Sequence, residues 1–284
     1  VIYDESRGCS MDLSGWVSII NQSGASFENT KLKLIAGDVN RAEPQRNRRD
    51  VVMKMAMAED AAAPFAEKAF FEYHLYTLGR PADLPNNSTK QLQLFPTARG
   101  VECEKELVFA PTLNMGYYGY QQLDQEYGRY GQGDIDVYLR FENEKSRNLG
   151  MPLPAGRIRV MQQDPADDSL EFIGEDVIDH TPRNEEVLIE MGQAFDVVGE
   201  RKQTDFRVDT RTRNLWETFE IRLRNHKEQA VNVAVLENLY RMANWKLEGV
   251  SHEWDKENSN RIRFDVSIPS EGEAVITYTA HYSW

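Results

Sequence analysis

The chain of 284 residues holds only two cysteines and five histidines, and its acidic residues outnumber its basic ones by 46 to 33. Each shortage removes a class of function. Two cysteines cannot build a structural zinc site by themselves, and His74, His180, His226, His252 and His281 form no HExxH, His-x-His or Cys-paired spacing. A formal charge of −13 repels phosphates, and the one concentrated basic run, Arg46 to Arg49, has no interleaved aromatics. It reads as a solvated loop, and nucleic acid is not an expected partner. No apolar run approaches the roughly 20 residues that cross a bilayer, so a membrane-spanning chain is not expected. No signal peptide is visible, and the start at Val1 suggests a piece of a longer product. GxSxG is missing, as is any Gly-rich loop opening a helix to hold a phosphate, so neither a catalytic residue nor a cofactor is assigned.

What the sequence does have is rhythm. Phe219, Ile221 and Leu223 alternate with Glu220, Arg222 and Arg224, and after a break at Asn225 the pattern resumes with Val231, Val233 and Val235. Side chains that leave opposite faces in turn let one face of a strand bury while the other stays wet. The same period runs through Ile135 to Phe141, Ile262 to Ile268 and Ala274 to Tyr282, and Asn21, Asn143 and Asn225 stand where strands must turn. Further strands are expected at Ala69–Leu78, Lys90–Phe95, Val101–Phe109, Arg157–Gln162, Leu170–Ile173, Glu186–Met191 and Phe195–Lys202. So many short strands between Gly, Pro, Asn and Asp predict an all-β protein built of antiparallel, immunoglobulin-like β-sandwich lobes.

Two segments break the rhythm. The Ala- and Met-rich stretch within 41–65 is expected to be a helical or irregular surface insertion. The segment 113–133, rich in Tyr and Gly, reads as a long connection and places a boundary between an N-terminal lobe, 1–112, and a C-terminal lobe, 134–284. Its tyrosines, Tyr117, Tyr118, Tyr120, Tyr127 and Tyr130, are the candidate ligand or partner surface, because tyrosines among glycines supply stacking area. The competing reading is that they only pack against the lobes.

Other candidates are thinner. Cys103 shares a face with Val101, Leu107 and Phe109, which makes it either a small buried hydrophobe or the disulfide partner of Cys9. Asp164, Asp167 and Asp168 lack calcium-loop spacing and fit a hairpin loop, so no metal is assigned. His74 is expected on a polar face with Glu72 and Tyr76, opposite Phe71, Tyr73 and Leu75.

Read in order, DLSGWVSIINQSGASFENTKLKLIAGDVNR, FFEYHLYTLGRPADLPNNSTKQLQL, NLGMPLPAGRIRVMQQD and FIGEDVIDHTPRNEEVLIEMGQAFDVVGERKQTDF resemble the bacterial family filed as domain of unknown function 4139, which is distantly similar to the mucoidy inhibitor A group. The resemblance implies a β-rich, exported bacterial protein, periplasmic or at the cell surface, with a further N-terminal half. It brings no catalytic or binding residues with it. The expected function is a non-enzymatic structural, adhesion or ligand-binding module of the cell envelope, with other envelope proteins or surface glycans as partners. The alternative is a hydrolase that attacks cell-surface polysaccharide through acidic residues.

Overall fold

Alternation resolves into strands almost everywhere it was read. The computed structural model describes residues 1–4, 8–37, 57–59 and 65–284, and among them the helical content is one 3-10 turn, Lys145–Arg147. The protein is all-β. Its chain divides into two compact units, Val1–Glu104 with Arg140–Ile189, and Lys105–Leu139 with Glu190–Trp284. This differs from consecutive lobes joined at 113–133. The segment 113–133 belongs to the second unit, and the three divisions fall inside the strands Glu104–Phe109, Tyr130–Glu142 and Glu186–Asp209, where no loop composition marks them.

The first unit centres on Ser10–Asn21, which pairs antiparallel with Ser88–Glu102 from Ser10↔Glu102 to Asn21↔Ser88. Ile2–Asp4 lies on the other side, followed by Gly156–Gln163 and Leu170–Ile178. Met11, Leu92, Val101 and Val160 fill the core. The insertion expected within 41–65 lies outside the described residues apart from Phe65 and Met57–Glu59, a short strand that runs parallel to Ser88–Glu102. The aspartate loop is a hairpin turn, with Asp164 Oδ1 accepting from the Ala166 N–H at 2.8 Å.

Two expectations need correction here. Ala69–Leu78 is not one strand but parts of two, Phe65–Phe70 and Tyr73–Leu78, which turn back at Phe71. Phe71 takes φ +59° and stands 86% exposed, while Tyr76 is buried, so the face assignments made across the turn are reversed for both. FFEY holds no Gly, Pro or Asn, which is why the turn was invisible. Cys103 is not a free buried thiol: it is half-buried and bonded to Cys9. The strand breaks at Cys103, just past Glu102, and the bridge closes where Ser10–Asn21 and Ser88–Glu102 end.

The second unit is a nine-stranded sheet in the order Trp245–Glu248, Glu273–Ser283, Asn214–Asn225, Glu186–Asp209, Tyr130–Glu142, Glu104–Phe109, Val231–Asn238, Arg261–Ile268 and Asp255–Lys256. Five strands separate Glu273–Ser283 from Arg261–Ile268 in that order, yet the rings of Tyr278 and Phe264 lie 5.9 Å apart. The sheet therefore folds over itself into two layers. Leu215, Phe219, Ile221, Val233, Val235, Ile262, Ile276 and Tyr278 form the core between them.

Asparagine ends strands by cross-linking loops. Buried Asn225 donates to the carbonyls of Gln229 and Pro269 at 2.8 and 2.9 Å and accepts from the Lys227 N–H. Asn21 and Asn143 do the same at other strand ends, Asn21 to Leu84 and Ala25, Asn143 to Met151 and Pro182. Each amide bonds carbonyls of chain segments that flank its strand end.

Candidate functional site

The second unit buries charge in its core. Period two places Glu217 between Leu215 and Phe219 on the inward face of Asn214–Asn225, and places Arg201 and Gln203 inward along Glu186–Asp209. Glu237 ends the inward row begun by Val233 and Val235, and Arg241 follows four residues later. Arg201, Glu217, Glu237 and Arg241 are all at most 1% exposed.

They form two ion pairs. Arg241 Nε donates to Glu217 Oε2 at 2.6 Å, and Arg201 Nε donates to Glu237 Oε2 at 2.9 Å. Buried phenols complete the carboxylates: Tyr278 donates to Glu237 at 2.5 Å and Tyr282 to Glu217 at 3.0 Å, while Gln203 donates to Glu217 at 3.1 Å. The Arg201 guanidinium lies 3.6 Å from the centre of the Phe219 ring.

Three of the four remaining guanidinium nitrogens, all but Arg201 Nη2, hold a loop. Arg241 Nη1 donates to the carbonyls of Gln122 and Asp124 at 2.9 and 2.8 Å, and Nη2 donates to that of Tyr127 at 2.7 Å. Arg201 Nη1 donates to the Gly128 carbonyl at 2.7 Å, which also accepts from the Tyr240 hydroxyl at 3.2 Å. Gly128 sits at φ +74°, and a Cβ there would strike the Tyr240 ring. At the near end of the same loop Asn238 donates to the carbonyls of Thr112, Leu113 and Met115.

The electrostatics follow from burial. It pushes the Glu217 and Glu237 carboxyls up from the ordinary carboxylate range, against the pull of Arg241 and Arg201. Burial alone would lower Arg201, but the Glu237 carboxylate overcomes it and the guanidinium stays charged. Tyr278 and Tyr282 are driven far above the ordinary phenol value, first by burial and then by Glu237 and Glu217.

Such a cluster is a poor way to make a core stable. Replacing a buried ion pair with apolar side chains is often neutral or stabilising, and Arg201 Nη2, Gln203 Oε1 and Glu237 Oε1 are buried without a hydrogen-bond partner. What the cluster does achieve is a fixed loop, because four loop carbonyls in a segment without a ladder of its own acquire charged donors.

The loop's other side faces solvent. Tyr117, Tyr118 and Tyr120 are 38%, 63% and 58% exposed, with exposed Leu113 and Leu123 in the same segment. Of the five tyrosines named as a candidate ligand or partner surface, these three are exposed. Tyr127 instead packs edge-on against Tyr240, ring centres 5.4 Å apart, and burial followed by the nearby Tyr118 and Tyr120 phenols pushes its own phenol up. Tyr130 opens the strand Tyr130–Glu142, and its side chain lies outside the described residues.

The histidines serve local contacts: His74 with Glu67 at 2.8 Å, His180 accepting from the Ala155 N–H at 3.0 Å, and His281 between Glu248 and Asn214. Among the described residues no three His, Cys, Asp or Glu side chains are grouped to hold a metal ion. Among the same residues no helix is long and apolar enough to cross a membrane. Compared with protein-family models, with curated proteins and with solved structures, the chain matches none.

Proposed function

We propose that the protein is a non-enzymatic module of the bacterial cell envelope that grips an envelope protein partner through the loop carrying Tyr117, Tyr118 and Tyr120. The observation that carries this reading is the loop's construction. Exposed tyrosines stand between two backbone anchors, the Met115 carbonyl held by Asn238 on one side and the Gln122 and Asp124 carbonyls held by Arg241 on the other. Tyrosine offers large amphipathic contact area at little conformational cost, and a backbone held in place before binding removes most of the remaining ordering penalty. The excess of acidic residues favours a partner with a basic face.

Two further points support an exported location. The Cys9–Cys103 bridge belongs to oxidising compartments, and the family resemblance points to the same place. The hydrolase alternative gains nothing from Glu217 and Glu237, whose oxygens face Arg241, Arg201, Tyr278 and Tyr282 inside the core.

The test is site-specific photocrosslinking in the bacterial envelope with a photoreactive side chain at position 118. A discrete protein adduct is expected, suppressed by Tyr117→Ser together with Tyr120→Ser and reproduced weakly or not at all by a probe at exposed Phe195. Equal adducts from both positions, or none from 118, would overturn the reading.

A further inference from the structure

A second exposed aromatic site lies in the same unit, on the loop between Trp245–Glu248 and Asp255–Lys256. Its construction begins with Ser251. The Ser251 N–H donates to the Thr277 carbonyl at 2.9 Å, and the Thr277 N–H donates back to Ser251 Oγ at 2.8 Å, which ties the loop to the strand Glu273–Ser283. Ser251 Oγ also hydrogen-bonds His252 Nδ1 at 2.8 Å, which ties the imidazole to the same anchor.

Two residues on, Trp254 is held from behind. Its ring lies 6.3 Å from that of Trp245 at 54°, and Trp245 is itself fixed by Nε1–H donating to the Ser259 carbonyl at 2.9 Å and by the Lys256 ammonium 4.7 Å from its ring centre. Trp254 stays 37% exposed, and with Val250, His252, Glu253 and Asp255 it lines an open hollow of about 510 Å³.

We infer that this hollow binds neutral saccharides, with a pyranose stacked on Trp254 and its hydroxyls shared between the His252 imidazole and the Glu253 and Asp255 carboxylates. The complementarity is specific to that class. A sugar ring offers an apolar C–H face to the indole and hydroxyls that donate and accept at its rim, which an alternation of imidazole and carboxylates can satisfy within four successive residues. Anionic sugars are disfavoured because Glu253 and Asp255 line the hollow in a chain of charge −13. The site is distinct in residues from the tyrosine loop and does not depend on that reading.

The experiment is titration of the intact chain with neutral gluco-, manno- and galacto-configured tetrasaccharides and with an oligouronate, followed by tryptophan fluorescence and calorimetry. Saturable binding of at least one neutral tetrasaccharide is expected, weakened about tenfold by Trp254→Ala and several-fold by Asp255→Asn. The oligouronate should bind at least about tenfold more weakly than the neutral ligand. Tyr117→Ser with Tyr118→Ser should leave the affinity unchanged, which separates this site from the loop. No saturable binding by any neutral tetrasaccharide, equal binding of the oligouronate, or an affinity that Trp254→Ala and Asp255→Asn both leave intact would overturn the inference.

Discussion

Arg241→Met removes one guanidinium that bonds both Glu217 and three loop carbonyls, those of Gln122, Asp124 and Tyr127. Methionine roughly fills the aliphatic volume but donates nothing. Glu217 is then left in the core with only Tyr282 and Gln203 as donors. Breaking a buried pair from one side costs about 3–5 kcal/mol, because the surviving charge keeps its desolvation penalty. Taking about 4 kcal/mol, the opening constant of the second unit rises by roughly three orders of magnitude. The loop carbonyls have another escape: their bonds to Arg241 are only partly buried, so the segment can lift and hydrate them. Two readouts follow. Hydrogen exchange in Asn214–Asn225 should accelerate by roughly a thousandfold, and chymotrypsin should cut the native protein at Tyr117, Tyr118 or Tyr120. Hydrogen exchange is the right probe because two units need not unfold as one. Adding Glu217→Gln to Arg241→Met should recover much of the stability while leaving the loop open to protease. Exchange within about tenfold of the parent for Arg241→Met, or a double variant whose loop is again protected, would refute the claim that Arg241 is the bolt.

Two other outcomes follow from buried groups elsewhere. Burial, and then Glu67, push the Tyr76 phenol to about 12, and burial raises Tyr240, Tyr278 and Tyr282 as well. A phenol raised in the folded state favours folding fully below its unfolded value of about 10, and that advantage is lost as the pH climbs through the folded value. These four should ionise only with unfolding above about pH 10, so phenolate absorbance and β circular dichroism should change together; phenolate signal from all tyrosines before any loss of β structure would contradict the burial. Reducing Cys9–Cys103, or replacing both with serine, reopens a separation of 94 residues and should cost about 4–5 kcal/mol in the chain-entropy model, read as faster exchange in Ser10–Asn21 and Ser88–Glu102; a change under about 1 kcal/mol would contradict that estimate.

Much of the fold was legible because a period of two is a local property. Phe219, Ile221 and Leu223, or Ile262, Phe264 and Val266, announce their inward face without reference to any other strand. Asn225 announced its turn because its amide acts within a few residues of itself. The failures lie where partners are distant or cues are silent. Nothing in FFEY marks a reversal, so Phe71 was placed inward when it is among the more exposed side chains. The unit division runs inside continuous strands, and composition cannot mark it. The charged cluster was half visible: extending the alternation past Phe219 puts Glu217 on the apolar face, and noting that Glu200, Lys202 and Thr204 share one face leaves Arg201 and Gln203 on the other. An acidic or basic residue on an otherwise apolar face is the signal that finds such a pair. Which acid meets which base depends on how the sheet folds over, and one strand does not carry that information.

The clamp engages the loop through carbonyl oxygens alone. Gln122, Asp124, Tyr127 and Gly128 are gripped as peptide groups, and every residue type presents the same carbonyl oxygen. Side chains on the solvent side are therefore free of the support beneath them, with Gly128 the exception because Tyr240 occupies the space of a Cβ. On the proposed reading support and recognition are separated in the chain: Arg201, Glu217, Glu237 and Arg241 set where the backbone goes, and Tyr117, Tyr118 and Tyr120 would set what it touches. Substitutions at the three tyrosines should leave the loop's path intact, whereas substitutions among the four buried charges should move it without altering any exposed side chain. That asymmetry gives the buried charges a role that stability alone does not explain, since apolar residues of similar volume would fill the core at least as well.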